Sequence, residues 1–420
     1  MSLHVAVIGA GIVGAATALE LQRDGHRVTL IEPGPPGGEQ AASYGNGAWF
    51  SPASVVPMSM PGLWRKVPGF LADPLGPLTI RWQYLPRLMP WLIRFVLAGA
   101  TVPRVERTAR ALAVLLADAP ARHAALAAEA GVPDLVERRG LIYPFPDRAD
   151  FLAEALAWRL RRDNGIAWRE LDAAALHAIC PALADRYRFG VLVEGGGHCR
   201  DPGGYVAALA ALAERRGATI RAARATGFDI QGGRLAGVHT PDGRIACDRA
   251  VIAAGIRSKA LARLAGDRVP LESERGYHIE IRDPEAAPEI PVMPADGKMA
   301  NTLTLGGLRA SGQVELASVD APPNWDRADV LLRHAQRAYP ALPPTIAPQR
   351  LRRWLGHRPS TPDGLPVIGP ASGCADIVHA FGHGHVGLAA GAITGRLAAD
   401  LVAGHQPVVD PAPYSAERFR

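Results

Sequence analysis

The sequence reads as an α/β protein of two domains, on three observations. A strand, a glycine-rich turn, a helix and a second strand follow one another at the N-terminus. A buried strand ending in small residues lies near the middle, at Arg249 to Gly255. Alternating strand patterns fill residues 271–320. The first two predict a Rossmann-like parallel-sheet domain, discontinuous in sequence. The third predicts a second, α+β domain on a mixed or antiparallel sheet.

The N-terminal unit carries the most information. His4 to Ile8 is an apolar run leading into Gly9-Ala10-Gly11-Ile12-Val13-Gly14. Ala15 to Leu21 forms helix well, and Arg27 to Ile31 is a second apolar run ending at Glu32. Gly9 permits the tight turn, Gly11 lets a pyrophosphate approach the backbone, and Gly14 lets helix pack on strand. The helix N-terminus offers unpaired N–H groups to phosphate. Glu32 stands where a carboxylate accepts from a ribose 2′-OH and disfavours a 2′-phosphate. The motif alone does not separate FAD from NAD. A strand beginning so near Met1 leads us to expect no cleaved signal peptide.

Composition narrows the classes. The 420 residues suffice for two domains; 48% are hydrophobic and 20% charged, as in a soluble enzyme. The net charge of +6 suits anionic substrates or an anionic membrane surface, and no basic block with interleaved aromatics points to nucleic acid. Cys180, Cys199, Cys247 and Cys374 show no metal or redox spacing and read as reduced thiols. No metal site is expected. No uncharged apolar run of about eighteen residues exists, so no transmembrane helix is expected. The nearest approach, 82–100, is broken by Pro86, Arg87, Pro90 and Arg94. It reads as a helix pair packed on the core or at a pocket mouth. The alternative is peripheral contact with a membrane interface.

Elsewhere, residues 33–76 are Gly-, Pro- and Ser-rich loop. Amphipathic helices are predicted over 104–130, divided at Pro120, and over 147–163. A helix from Tyr205 to Arg216 ends at Gly217, and strands with hairpin turns at Gly232-Gly233 and Asp242-Gly243 follow. A last helix spans Gly387 to Ala403, before a Pro-rich tail expected to be extended.

Several separated motifs together resemble the FAD-dependent glycine/D-amino-acid oxidase (DAO) family, most closely its bacterial D-amino acid dehydrogenases. The likeness spans nearly the whole chain. Ala42 to Gly47, with Ser43 and Asn46, resembles the family's flavin loop, where Gly45 and Gly47 are departures read as harmless. Ala253-Ala254-Gly255 resembles its second FAD contact. Glu274 to His278 resembles the strand that starts its substrate sheet, and Arg309 to Glu315 its R-x-x-G-x-x-E strand near the flavin. Gly356-His357-Arg358-Pro359, running on to Gly369, resembles its G-x-R-P signature. Gly382-His383-Gly384-His385-Val386-Gly387 resembles its turn before the last helix.

The resemblance implies non-covalent FAD, held by Gly9, Gly11, Gly14, Glu32, Ser43, Asn46, Gly47, Ala254, Gly255, Gly356 and residues 382–387. It implies Arg358 as the carboxylate fork, with Tyr277 and Arg309 as further catalytic candidates. The rings of His383 and His385 are expected to matter less than their backbone. Residues 1–55, 200–270 and 350–420 are expected to form the FAD domain, and 56–199 with 271–349 the substrate domain. The implied reaction oxidises a D-amino acid by hydride transfer to flavin N5. It yields a 2-oxo acid and ammonia and passes electrons to a quinone or respiratory acceptor. The alternatives are an O₂-dependent oxidase of glycine, sarcosine or a cyclic secondary amine, an NAD-dependent dehydrogenase, and a non-catalytic protein on this scaffold. The expected location is cytoplasmic or peripheral on the inner membrane face.

Overall fold

The computed structural model describes residues 2–420. In chain order, β1 (His4–Ile8), α1 (Ile12–Arg23) and β2 (Arg27–Ile31) form the first unit. There follow α2 (Leu63–Ala72), β3 (Leu78–Ile80), α3 (Leu85–Ala98), α4 (Val102–Leu116) and α5 (Ala119–Glu129). Next come α6 (Pro202–Arg215), β4 (Thr219–Arg221), β5 (Arg249–Ile252), β6 (Glu272–Ile281), β7 (Ala300–Thr304) and β8 (Gly307–Leu316). The chain ends with α7 (Asp326–Ala338), β9 (Leu351–Ser360), β10 (Val367–Pro370), β11 (Ile377–Phe381) and α8 (Gly387–Ala403).

Two sheets organise these elements. The first runs β4-β2-β1-β5-β11-β10, parallel except at the β10–β11 edge. Its central strands are buried apolar runs, as a sheet covered on both faces requires. The second runs β7-β8-β6-β9 and is antiparallel, with β3 joining β8 in parallel. The sequence division placed 350–420 with the first sheet, but β9 pairs along its whole length with β6 in the second. The C-terminal tail is not extended: it turns at Ala412–Tyr414 and Ala416–Phe419, and Tyr414 packs inside.

α1 and α8 lie side by side. A Cβ on Gly391 would stand 2.6 Å from Ile12, and one on Gly395 2.8 Å from Ala16. Successive turns meet in the same direction, so the helices are parallel and their N-termini adjacent. Residues 82–100 form one helix after a short turn rather than a helix pair, and only Leu88 and Trp91 of α3 are buried. By length and composition alone, the stretch Val102–Glu129 is apolar enough to cross a bilayer. Half of its apolar window is buried in the protein, and the chain breaks between α4 and α5.

Asp267 ties the far end of the first sheet together. It accepts from Ser372 N (2.9 Å), Ser372 Oγ (2.5 Å) and His379 Nε2 (2.9 Å). Burial alone would raise its pKa; the hydrogen bonds from His379 and Ser372 outweigh that and hold it at about 2. Its stabilisation is therefore complete above the ordinary 3.8 and lost as pH falls towards about 2.

Two outcomes are expected. Gly395→Leu forces α1 and α8 apart, costing about 1–3 kcal/mol and lowering the thermal midpoint; an unchanged midpoint would refute the close packing. Asp267→Asn lowers the midpoint at neutral pH, and its gap from the parent closes as pH falls from about 4 to about 2. A gap independent of pH would contradict the ionised network.

Candidate active site

The crevice at the carboxyl ends of β1 and β5 is built by glycine. Gly9 has φ +104°, and a Cβ there would lie 2.5 Å from the Ala253 carbonyl oxygen. A Cβ on Gly14 would overlap the Gly9 carbonyl at 1.9 Å, whereas one on Gly11 would meet only Ser43 Oγ, at 3.3 Å. These contacts match the three different duties read from the motif. Ala10 N donates to Glu32 Oε2 (2.9 Å) and Ile12 N to Ser43 Oγ (3.1 Å), so acid and flavin-like loop both meet the start of α1. Ala254 and Gly255 (φ +54°) follow β5 beside Gly9. Neither α1 nor α8 has a side-chain N-cap. Two adjacent, uncapped helix N-termini make a strongly anion-attracting corner.

One face of the second sheet looks towards this corner. Directly opposed pairs of β6 and β9 line it: Glu274 with Arg358, Gly276 with Gly356, and His278 with Trp354. The Trp354 ring stacks on His278 at 5.1 Å and covers Gly356; a Cβ on Gly45 would stand 2.0 Å from that ring. The Arg358 guanidinium lies over Gly276, where a Cβ would come within 2.4 Å of Cζ.

A bulge in β8 fixes this arginine. Arg275 pairs with Glu315 but Tyr277 with Gly312, so β8 has one extra residue there, and Gln313 takes φ +57°. The bulge aims two carbonyls at one guanidinium: Arg358 Nη1 donates to Gln313 O (2.8 Å) and Nη2 to Gly312 O (3.1 Å). Burial lowers the Arg358 pKa and nearby Glu274 opposes the fall; burial likewise raises that of Glu274. Among the described residues Arg358 is in no ion pair, and two of its five N–H groups are used.

The 382–387 turn borders the same space. Gly382 and Gly384 have positive φ, and Gly384 N donates to Pro359 O (2.9 Å), which pins the turn to the end of β9. His383 is buried against Thr394 Oγ1 (2.9 Å). Burial pushes both His383 and His385 down to about 4, with Arg358 adding to the fall at His385, so both rings are neutral at pH 7. Arg358 is half-buried and His385 exposed, so both present surface to the chamber between this sheet and the corner. Ser360 is buried beside Gly384 and lies close to the Glu274 carboxylate. Arrangements of this kind offer a fixed cation, a neutral polar wall and helix dipoles to an anionic ligand.

Two predicted catalytic side chains do not reach this chamber. Tyr277 points to the opposite face, where it donates to Glu315 Oε2 (2.5 Å) and accepts from Asn324 N (3.0 Å). Strand alternation allows either Tyr277 or His278 to face the loop, and the apolar packing against α7 takes Tyr277. Arg309 is locked to Glu280 (3.1 Å) and donates to Tyr44 O and Asn46 O, so it clamps the loop. Asn46 Oδ1 accepts from Ala48 N, and Gly47 packs on Ala300. Gly356 lies under Trp354, and Gly45, read as a harmless departure, is required by that same ring. Glu274, Gly276 and Ser360 were missed; counting alternate residues from Arg358 and across to β6 would have found them. Among the described residues the one cluster of metal-ligand type, Asp24, Asp400 and His405, lies beside Arg396, which already donates to both carboxylates.

The family described as FAD dependent oxidoreductase (DAO) matches residues 4–401. The chain is 55% identical over 416 residues to a protein named D-amino-acid oxidase from Bradyrhizobium diazoefficiens, covering 99% of each. It is 32% identical to a D-amino acid dehydrogenase of Paramagnetospirillum magneticum, again over 99% of each chain. Its fold matches the crystal structure of glycine oxidase from Geobacillus kaustophilus with a TM-score of 0.74 at 22% identity, over 99% of both. These matches set aside the NAD-dependent and non-catalytic alternatives: the chain belongs to the DAO family of FAD-dependent oxidoreductases.

Proposed function

We propose that the protein oxidises D-amino acids to 2-oxo acids and ammonia, passing the electrons to a quinone or another respiratory-chain acceptor. The observation that carries the substrate class is Arg358: a planar cation, half-buried, held by backbone carbonyls and in no ion pair among the described residues, with the Glu274 carboxylate opposite it on β6. Such a fork suits a substrate carboxylate. The names of the two relatives supply the D-amino acid.

In this reading Gly9, Gly11, Gly14, Glu32, Ser43, Ala254, Gly255 and residues 382–387 hold FAD. The uncapped α1 and α8 fit its anionic pyrophosphate and electron-rich ring edge. Bound FAD supplies the two-electron acceptor for oxidising the substrate C–N bond. The chain's own residues then act by placement. Arg358 fixes one end of the substrate, Gly276 and Gly356 let Arg358 and Trp354 lie flat on the sheet, and the Trp354–His278 stack closes one side. Neutral His383 and His385 keep the wall from competing with Arg358 for the carboxylate. The discontinuous FAD and substrate domains belong to the same proposal, with β9 counted in the second. So does peripheral membrane contact through residues 82–100, which would bring the site near a membrane-borne acceptor. O₂ as acceptor is the second reading, favoured by the name of the 55% identical relative.

Anaerobic mixing of the yellow holoenzyme with D-amino acids should bleach the flavin, while glycine, sarcosine and cyclic amines should not; bleaching by secondary amines alone would overturn the substrate class. Slow return of colour in air, against rapid return with a soluble quinone, is expected; fast peroxide formation would establish the second reading. Arg358→Ala should raise KM for a D-amino acid by roughly 100-fold with FAD retained. Unchanged kinetics would remove Arg358 from the site.

A further inference from the structure

Residues 40–105 contain one acid, Asp73, and six basic residues: Arg65, Lys66, Arg81, Arg87, Arg94 and Arg104. Within this run α3 leaves a row of apolar side chains in water. Met89, Ile93, Val96 and Leu97 share one helical face; Ile93 is 53% exposed, Leu97 52%, and Trp82 just before the helix 65%. Arg94 and Leu97 also open onto a groove of about 1180 Å³ between α4 and the C-terminal tail.

That groove has two characters. Val114, Val408, Val409 and Phe419 give it apolar walls, and Tyr414 Oη closes its floor by donating to Ala111 O (2.6 Å). Arg94, Arg104, Arg107 and Arg110 project into it and form no ion pair among the described residues. The neighbouring acids are otherwise engaged: Glu106 with Arg159 (2.9 Å) and Asp363 with Arg418 (2.7 Å). Among the described residues Asp410 is the one lining side-chain carboxylate without a cationic partner; it accepts from Ala412 N.

We propose that α3 and this groove together form a docking surface for an anionic phospholipid bilayer. The outer face of α3 and Trp82 enter the acyl boundary, and lipid phosphates sit in the groove on the four arginines. Guanidinium forks match phosphate, and an amphipathic helix edged by arginine is the usual interfacial element. A single soluble amphiphile could fill the groove but would leave Met89, Ile93 and Val96 bare; a bilayer covers both. This extends the membrane contact proposed for residues 82–100 by naming its lipid chemistry.

The test is co-sedimentation of the full-length holoenzyme with phosphatidylcholine vesicles, alone or mixed with phosphatidylglycerol. Binding to the anionic vesicles should be at least ~10-fold stronger and should weaken with salt. The double variant Arg107→Gln/Arg110→Gln should lose ~5-fold in anionic binding for each arginine removed, with flavin content and dye-linked activity in solution unchanged. Ile93→Asp should abolish binding to both vesicle types. Equal binding to neutral and anionic vesicles, or an unaffected double variant, would overturn the phosphate groove while leaving contact through 82–100 standing. Binding to neither vesicle type would overturn both, as would inorganic phosphate protecting the groove in a protein that ignores vesicles.

Discussion

The bulge at Gln313 decides what the second sheet can do. Three arginines are embedded in that sheet, and their partners differ. Arg275 and Arg309 face carboxylates at 3.2 Å and 3.1 Å, so their charges are neutralised within the protein. Arg358 is gripped by two peptide carbonyls instead. Carbonyls orient a guanidinium without cancelling its charge. A regular β8 would aim successive carbonyls to opposite sides; the extra residue brings two of them to one side. Positive φ at a non-glycine residue costs about 1–3 kcal/mol, and that strain sits beside the arginine it serves.

Glycine provides the complementary half of the site. Gly276 and Gly356 sit opposite each other on β6 and β9, and a large side chain leans over each. Arg358 and Trp354 thereby lie flat along the sheet rather than standing away from it, as aromatic side chains do over strand glycines. The same economy holds at the other sheet, where Gly9, Gly14 and Gly395 allow backbones to touch and Gly391 takes the Ile12 side chain. Closing those distances puts two helix N-termini in one corner. Cation, dipoles and small-residue floor are thus products of close backbone approach.

Much of this was legible in the sequence. The first βαβ unit declared itself through strand, glycine spacing and terminal acid, and the last helix begins and ends at the residues expected, Gly387 and Ala403. Both signals are local. The faces of β6 were not legible, because alternation gives two sets of residues without saying which is inward; Tyr277 and His278 could be told apart only by what packs on each side. Arg309 looked like Arg358 because its partner, Glu280, is remote in sequence. Gly45 looked dispensable because Trp354, the ring that needs it, lies in another strand. The bulge left no trace, since Gln313 is not a residue that announces positive φ.

The threading of the first sheet has a consequence for biosynthesis. β1 and β5 await β11, and α1 awaits α8, so the first βαβ unit is completed by elements far downstream in the chain. The tail then fastens the assembly through Arg418 to Asp363 and Tyr414 to Ala111. A nascent chain on the ribosome therefore carries an unfinished parallel sheet and a bare helix flank until β11 and α8 have emerged. Synthesis can order the outlying helices early, but the cofactor corner cannot close before α8 is made.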